Sequence, residues 1–414
     1  MESAIDHASS AAVPEGVSGR TEPVGIVSVE TVSGATLSGR VVEWVDRRGA
    51  DLRVVLPPYL IARVLVGLSY GLAQAIAERW YGGPPSPLTE GLLAWDGNFY
   101  RDIGVVGYEQ LPLDSLRFFP LYPLVARGVS LAFDGNQGFA LVVVANVAAL
   151  VLGMLIRRLV LAYGGSVEQA DRSVWAVMLF PSAFVLVWAY SEALFLIFAV
   201  GSLLAARRDR WLIAGALAAF AALTRPLGVL LVLPLAIEAV ERWRAATDER
   251  PAWSVIGARL LAVVAPLGGT MAFVLWVERA WGVLFLPFTV QSDLRGETVN
   301  PVARLLRGGS DLVGVERFGD GLHLPFAVVF VALVVVAWRR LPKSAAAYAT
   351  VVLLAALSAA NLNSLERYAL NGFPLAIALA FWANTVRRER LALSVCASGL
   401  LALSALAWLG LYVP

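Results

Sequence analysis

Residues 173–206 read SVWAVMLFPSAFVLVWAYSEALFLIFAVGSLLAA, an apolar run whose only marked break is Tyr190-Ser191-Glu192. As one continuous helix these 34 residues would extend about 51 Å at 1.5 Å per residue. That is far more than the ~30 Å hydrocarbon layer of a bilayer. The break therefore predicts a tight helical hairpin with one membrane span on each side. Residues 211–240 present the same situation, interrupted only at Thr224-Arg225-Pro226.

Working outward, comparable apolar blocks lie at 57–80, 139–156, 173–189, 193–206, 211–224, 227–240, 259–277, 323–338, 344–360, 368–386 and 391–412. They predict an all-α polytopic membrane protein with about 11 transmembrane helices. Composition agrees: 58% of the 414 residues are hydrophobic and 15% charged, and mean hydropathy is +0.71, against about 45–50% and about 25% for soluble domains. The formal net charge of +2 gives no footing for a nucleic-acid partner. A single cysteine, Cys396, excludes an intrachain disulfide and reads as a small core or lipid-facing residue. The two histidines, His7 and His323, are far apart, and no cluster has metal-ligand spacing. A divalent ion held by carboxylates stays open.

Residues 1–56 read as a cytoplasmic N-terminal tail, disordered over 1–40, with 41–55 an interfacial helix or short strand. No basic n-region precedes an apolar core, so no cleaved signal peptide is expected. Residues 57–414 read as the transmembrane domain, with longer outer loops at 81–138 and 278–322. Short loops carry the basic clusters Arg157/Arg158/Arg172, Arg207/Arg208/Arg210, Arg242/Arg244/Arg250, Arg339/Arg340/Lys343 and Arg387/Arg388/Arg390. With eleven spans all five share one side with the N-terminus, and the positive-inside rule makes that side cytoplasmic. No internal repeat is visible, which disfavours an inverted-repeat transporter.

This topology gathers the unusual polar residues on the opposite face. Asp96 and Asp102 follow the first span, Glu192 sits at a hairpin tip, and Arg225 lies between spans five and six. Gln291, Asp293 and Arg295 belong to the second outer loop, and Asn361, Asn363, Glu366 and Arg367 precede span ten. Ionisable groups near a bilayer core cost about 2.5–3.5 kcal/mol each on insertion scales and are usually paired or functional. Each has a plain structural reading as well. Asp96 suits a helix N-cap, Glu192 a solvated tip, and Arg225 an interfacial snorkel. Arg367 has Glu366 as a local partner, and Asp293 with Arg295 makes a loop pair of little worth.

The stretch LLAWDGNFYRDIGVVGYEQLPLDSLRFFPLYPLVAR, Leu92–Arg127, carries the most specific signal. WDGNFYRDIGVVGY followed by FFPLYPLVAR resembles the phosphatidylinositol-glycan class V (PIG-V) mannosyltransferases and their prokaryotic relatives. FPSAFVLVWAYSEALFL at 180–196, ALTRPLGVLL at 222–231 and ERYALNGFPLAIALA at 366–380 agree in order. The resemblance covers roughly residues 57–385, and it departs at Asn98-Phe99, where relatives often carry a histidine.

The resemblance implies a C-type glycosyltransferase in a prokaryotic plasma membrane, its site on the extracytoplasmic side. Such an enzyme moves a sugar, usually mannose, from a polyprenyl-phosphate donor to a glycolipid or glycan acceptor with inversion. Asp96 matches the acidic residue expected as general base. Transfer needs such a base, worth about 10²–10⁴-fold, and a guanidinium for the departing phosphate, for which Arg225 and Arg367 are candidates. Trp95, Tyr100 and Tyr108 offer faces for sugar stacking, and Phe118, Phe119 and Tyr122 can border a prenyl groove. Asp102 and Glu192 complete the candidate substrate-binding set. No cofactor is expected beyond the lipid-linked donor as co-substrate. A different donor sugar, a protein acceptor, or a lipid-linked-sugar flippase are the competing readings.

Overall fold

The computed structural model describes residues 37–80, 82–245, 252–296, 298–313 and 320–414. Every regular element among them is helical. In chain order the α-helices are α1 (Leu37–Trp80), α2 (Ser86–Glu90), α3 (Asp96–Val106), α4 (Leu121–Ser130), α5 (Gln137–Ala162) and α6 (Val167–Met178). There follow α7 (Glu192–Arg207), α8 (Trp211–Thr224), α9 (Val232–Ala245), α10 (Trp253–Trp281), α11 (Leu286–Arg295) and α12 (Pro301–Val313). The last five are α13 (Asp320–Arg340), α14 (Lys343–Leu357), α15 (Leu365–Asn371), α16 (Pro374–Trp382) and α17 (Val386–Trp408). Residues Arg48–Pro414 form one unit. Of Met1–Arg47, only the helical stretch from Leu37 belongs to the described residues, so most of the expected disordered tail lies outside them.

Five helical stretches among the described residues are long and apolar enough to cross a membrane: Asp51–Trp80, α5, α10, α13 and α17. Their outward faces carry large apolar side chains, among them Leu60, Val64 and Leu68 of α1, Leu260 and Val264 of α10, and Val328 of α13. A helix that keeps its apolar residues outside as well as inside is matched to lipid rather than water. The fold is that of a membrane-embedded helical protein.

The expected span pattern differs in several places, the block at 368–386 among them, which is broken between α15 and α16. The block at 173–189 is not one helix, because α6 ends at Met178 and α7 starts at Glu192. Between them Leu179–Ser191 is buried throughout and mostly irregular, with a 3₁₀ turn at Ala183–Leu186. Pro181 is the physical reason, since it has no N–H to continue the helix and its ring crowds the preceding turn. Residues 278–322, expected as a loop, contain α11 and α12, and residues 41–55, expected as a separate element, fall within α1. Finally, α7, α8 and α14 have 16, 14 and 15 residues, short for independent crossings.

Irregular backbone survives away from water only where protein groups satisfy it. Here Asn146 of α5 donates to the carbonyl of Val187 (2.9 Å), and Arg63 of α1 donates to that of Leu186 (3.2 Å). The same Arg63 donates to the Asn146 side chain through two nitrogens at 3.1 and 2.9 Å. Ala189 N–H closes the segment onto the carbonyl of Leu92 at 2.9 Å. The interior polar pair of α1 and α5 thus serves the backbone that leads into Glu192.

Small residues bring α8 against α10. A Cβ on Gly269 would fall on the backbone carbonyl of Ala219, and one on Gly215 would lie 2.9 Å from the Cα of Ala262. Close approach over small residues is how helices associate where lipid offers no hydrophobic drive. Gly269→Ala is therefore expected to cost about 1–3 kcal/mol and lower the thermal midpoint in detergent. Gly268→Ala, with nothing within 4 Å of its added carbon, should leave it unchanged. Equal midpoints for the two variants would contradict the packing.

Candidate functional site

Two non-glycine residues with positive φ open the elements that build the site. Trp95 (φ 61°) precedes Asp96, the first residue of α3, and Ser364 (φ 66°) precedes α15, which carries Arg367. Such backbone costs about 1–3 kcal/mol unless its surroundings enforce it. For Trp95 the indole N–H donates to the carbonyl of Ala407 on α17 at 3.1 Å. For Ser364 the hydroxyl reaches the carbonyl of Val413 at 3.4 Å. Glu192 is the first residue of α7, so both acids sit at helix N-termini, where the macrodipole favours negative charge.

Asp96 and Arg367, 271 positions apart, form an ion pair of 2.5 Å. Arg367 Nε also lies 3.5 Å from Glu192, whose carboxylate is fully buried. Arg225, held just beyond α8 and before Pro226, pairs with Glu192 at 2.6 Å and donates to Ser191 Oγ at 2.8 Å. That same Ser191 hydroxyl shares a 2.8 Å hydrogen bond with Tyr100 OH. Tyr190 OH accepts from the backbone N–H of Asp96 at 3.4 Å, and its ring lies 5.5 Å from the Arg367 guanidinium.

Asp96, Tyr100, Arg225 and Arg367 border a cavity of about 570 Å³, behind which Tyr190, Ser191 and Glu192 lie. Trp95, Asp96, Tyr100, Arg225 and Arg367 line it, with Phe99, Arg117, Phe118 and Phe119 on one side and Gln291, Asn361 and Asn363 elsewhere on the wall. Burial alone would raise the pKa of Asp96. The charges of Arg367, Arg117 and Arg225 outweigh that and hold the carboxyl below its ordinary range. Burial likewise pushes the Tyr100 and Tyr190 phenols up, so both stay protonated.

Several sequence-derived candidates lie elsewhere. Asp102 is half-exposed, pairs with the neighbouring Arg101 at 2.8 Å and does not line the cavity. On α3 it lies six positions beyond Asp96, more than a turn and a half along the helix, so the two acids do not share a face. Tyr108 donates its hydroxyl to the carbonyl of Phe118 (2.6 Å) and packs on Phe273 and Trp276. Tyr122 is fully buried and donates to the carbonyl of Leu141 (2.8 Å) while standing edge-on to Tyr100. Both therefore brace the wall from behind. Glu192 is not a solvated tip, because the irregular segment before it is buried. Asp96 does not cap α3, since Trp95 occupies that position. Asp293 does not line the cavity, and the side chain of Arg295 lies outside the described residues.

Glu366 does not pair with Arg367. It takes hydrogen bonds from Tyr412 OH (3.0 Å) and, at 2.9 Å, lies against His323 Nδ1, which turns Arg367 free toward Asp96. Arg117, Tyr190 and Ser191 were not among the candidates. A guanidinium inside SLRFFP was a readable signal for Arg117. Nothing in the sequence separates Tyr190 and Ser191 from any other break. Among the described residues no three His, Cys, Asp or Glu side chains gather as a metal site.

No family model matches the chain, nor does any curated protein or solved structure.

Proposed function

We propose that the protein is a membrane glycosyltransferase that moves mannose from a polyprenyl-phosphate donor to an extracytoplasmic glycolipid or glycan, with Asp96 as general base. The observation that carries this reading is the meeting of one ionised carboxylate and three guanidinium groups in an aromatic-walled cavity of a membrane-embedded protein. The PIG-V-like motifs contribute Asp96, Arg225 and Arg367 to that cavity from three distant stretches of chain. In this reading the N-terminus lies in the cytoplasm, and the cavity opens on the other side of the membrane.

The chemistry follows from the groups present. Asp96 withdraws the proton of an acceptor hydroxyl as that oxygen attacks the anomeric carbon from the face opposite the phosphate, so the centre inverts. Guanidinium groups offset the charge developing on the departing phosphate, and Arg is suited to this by its planar fork of donors. Trp95 and Phe99 give the sugar ring a surface to rest on, and Asn361, Asn363 and Gln291 supply polar partners for its hydroxyls.

The test is donor choice. Purified protein in detergent, given total membrane lipid, is expected to transfer radiolabel from polyprenyl-phosphate mannose and not from a nucleotide-linked mannose. Transfer from the nucleotide sugar alone would reject the proposal, because that donor is cytoplasmic. Movement of lipid-linked sugar across vesicles with no acceptor present, and no transfer, would favour a flippase instead.

A further inference from the structure

The three guanidinium groups in the cavity differ in their partners. Arg225 is held by Glu192 and Ser191, and Arg367 by Asp96 and Glu192. Arg117 forms no ion pair or hydrogen bond with any described residue. Its Nε is buried without a partner, and its guanidinium rests against Phe99 (5.3 Å) and Phe118 (4.7 Å), which themselves stack at 4.7 Å. Aromatic faces attract and orient a cation but leave its in-plane N–H donors unused. The group faces the same cavity as Asp96.

We propose that Arg117 is the anion receptor of this cavity and the group that meets the donor phosphodiester, while Arg225 and Arg367 arrive already committed to carboxylates. The inference rests on the glycosyltransferase reading and names which residue meets the donor first. Asp96 and Glu192 are the carboxylates that hold Arg225 and Arg367, and neither is an ion-pair partner of Arg117. A polyprenyl-phosphate sugar is a phosphodiester with one negative charge.

Charge is conserved at the site through the reaction. The acceptor oxygen forms its bond to the anomeric carbon, and the bond from that carbon to the phosphate oxygen breaks with its electron pair left on phosphate. The acceptor proton passes to Asp96. Phosphate thus goes from one negative charge to two while Asp96 goes from one to none. Loss of charge on Asp96 releases the Nη1 of Arg367, which can then serve the second phosphate charge. No net charge is created in a poorly solvated space, where an unmatched ion is costly.

The experiment measures binding without acceptor, so it does not depend on turnover. Wild-type, Arg117→Gln and Arg117→Lys proteins in detergent are titrated with a short-chain polyprenyl-phosphate mannose, with the uncharged polyprenol, and with inorganic phosphate. The wild type is expected to prefer the phosphodiester over the alcohol. Arg117→Gln should lose about tenfold or more in phosphodiester affinity, the scale of a charge-assisted hydrogen bond, and keep its polyprenol affinity as proof of folding. Arg117→Lys should recover part of the loss. Undiminished phosphodiester binding by Arg117→Gln overturns the assignment while leaving the proposed donor class standing. A wild type that does not distinguish phosphodiester from alcohol overturns the donor class itself. Inorganic phosphate displacing the lipid at matched concentration would show that free phosphate is the ligand, and would overturn the lipid-borne source.

Discussion

If the protein is the proposed glycosyltransferase, Asp96→Asn is expected to reduce sugar transfer by about 10²–10⁴-fold, the usual contribution of a positioned base, without weakening donor binding. The second half of this expectation is the informative one. In the free protein Asp96 occupies the Nη1 of Arg367. An asparagine cannot hold that guanidinium as an ion pair, and Glu192 at 3.5 Å remains its carboxylate neighbour. The freed group is then available to the donor phosphate, so KM for donor should stay level or fall while kcat collapses. A structural role for Asp96 predicts the reverse, with donor affinity and thermal midpoint lost together.

The pH profile gives a second check on the same residue. A carboxyl held below its ordinary pKa by three nearby arginines stays a base down to mildly acidic solution. The acidic limb of kcat/KM, which reports the free enzyme, should lie below about 3.9, the unperturbed aspartate value. A limb near neutrality would mean that another group takes the proton. Linkage carries the same sign: stability from the Asp96–Arg367 pair is present above the unfolded-state pKa and is lost as pH falls through the lower folded-state value.

The apolar blocks announced helices because each is a run too apolar for water, and every block contains helical residues. Block length did not announce helix length, since a buried irregular segment is as apolar as a helix. Leu179–Ser191 shows this best: its hydrophobicity reports burial, and only Pro181 and the polar pair Arg63 and Asn146 hint that the backbone there needs outside partners. The α11 and α12 helices were hidden for the opposite reason, their mixed polarity resembling a loop. At the site, Asp96, Arg225 and Arg367 stood out because a charge beside an apolar block demands an explanation. Their pairing was not legible. Glu366 is adjacent to Arg367 in sequence, yet His323 and Tyr412 claim it, and only the fold brings Asp96 across 271 positions. Asp102 misled for the same reason, proximity in sequence being no guide to which side of α3 faces the cavity.

Glu192→Gln is expected to be the most destabilising conservative change in the buried network behind the cavity, at about 3–5 kcal/mol, the cost of leaving a buried charge without its partner. The carboxylate is fully buried and is the ion-pair partner of Arg225 at 2.6 Å, with Arg367 at 3.5 Å. Glutamine keeps the volume and removes the charge, so the loss measures electrostatics and not a void. Asp102→Asn is the matched control: it also removes a paired acid, but one that is 43% exposed beside an equally exposed Arg101, where pairs are worth about 0–1 kcal/mol. Thermal midpoints of the two variants in one detergent should differ widely, and similar midpoints would count against a buried network. Adding Arg225→Gln to Glu192→Gln removes the stranded cation along with its lost partner. The double variant should therefore be more stable than the sum of the single losses allows, which is the coupling a double-mutant cycle reads. Strict additivity would mean that Glu192 holds the fold through packing alone, and that Arg225 is as free to meet phosphate as Arg117.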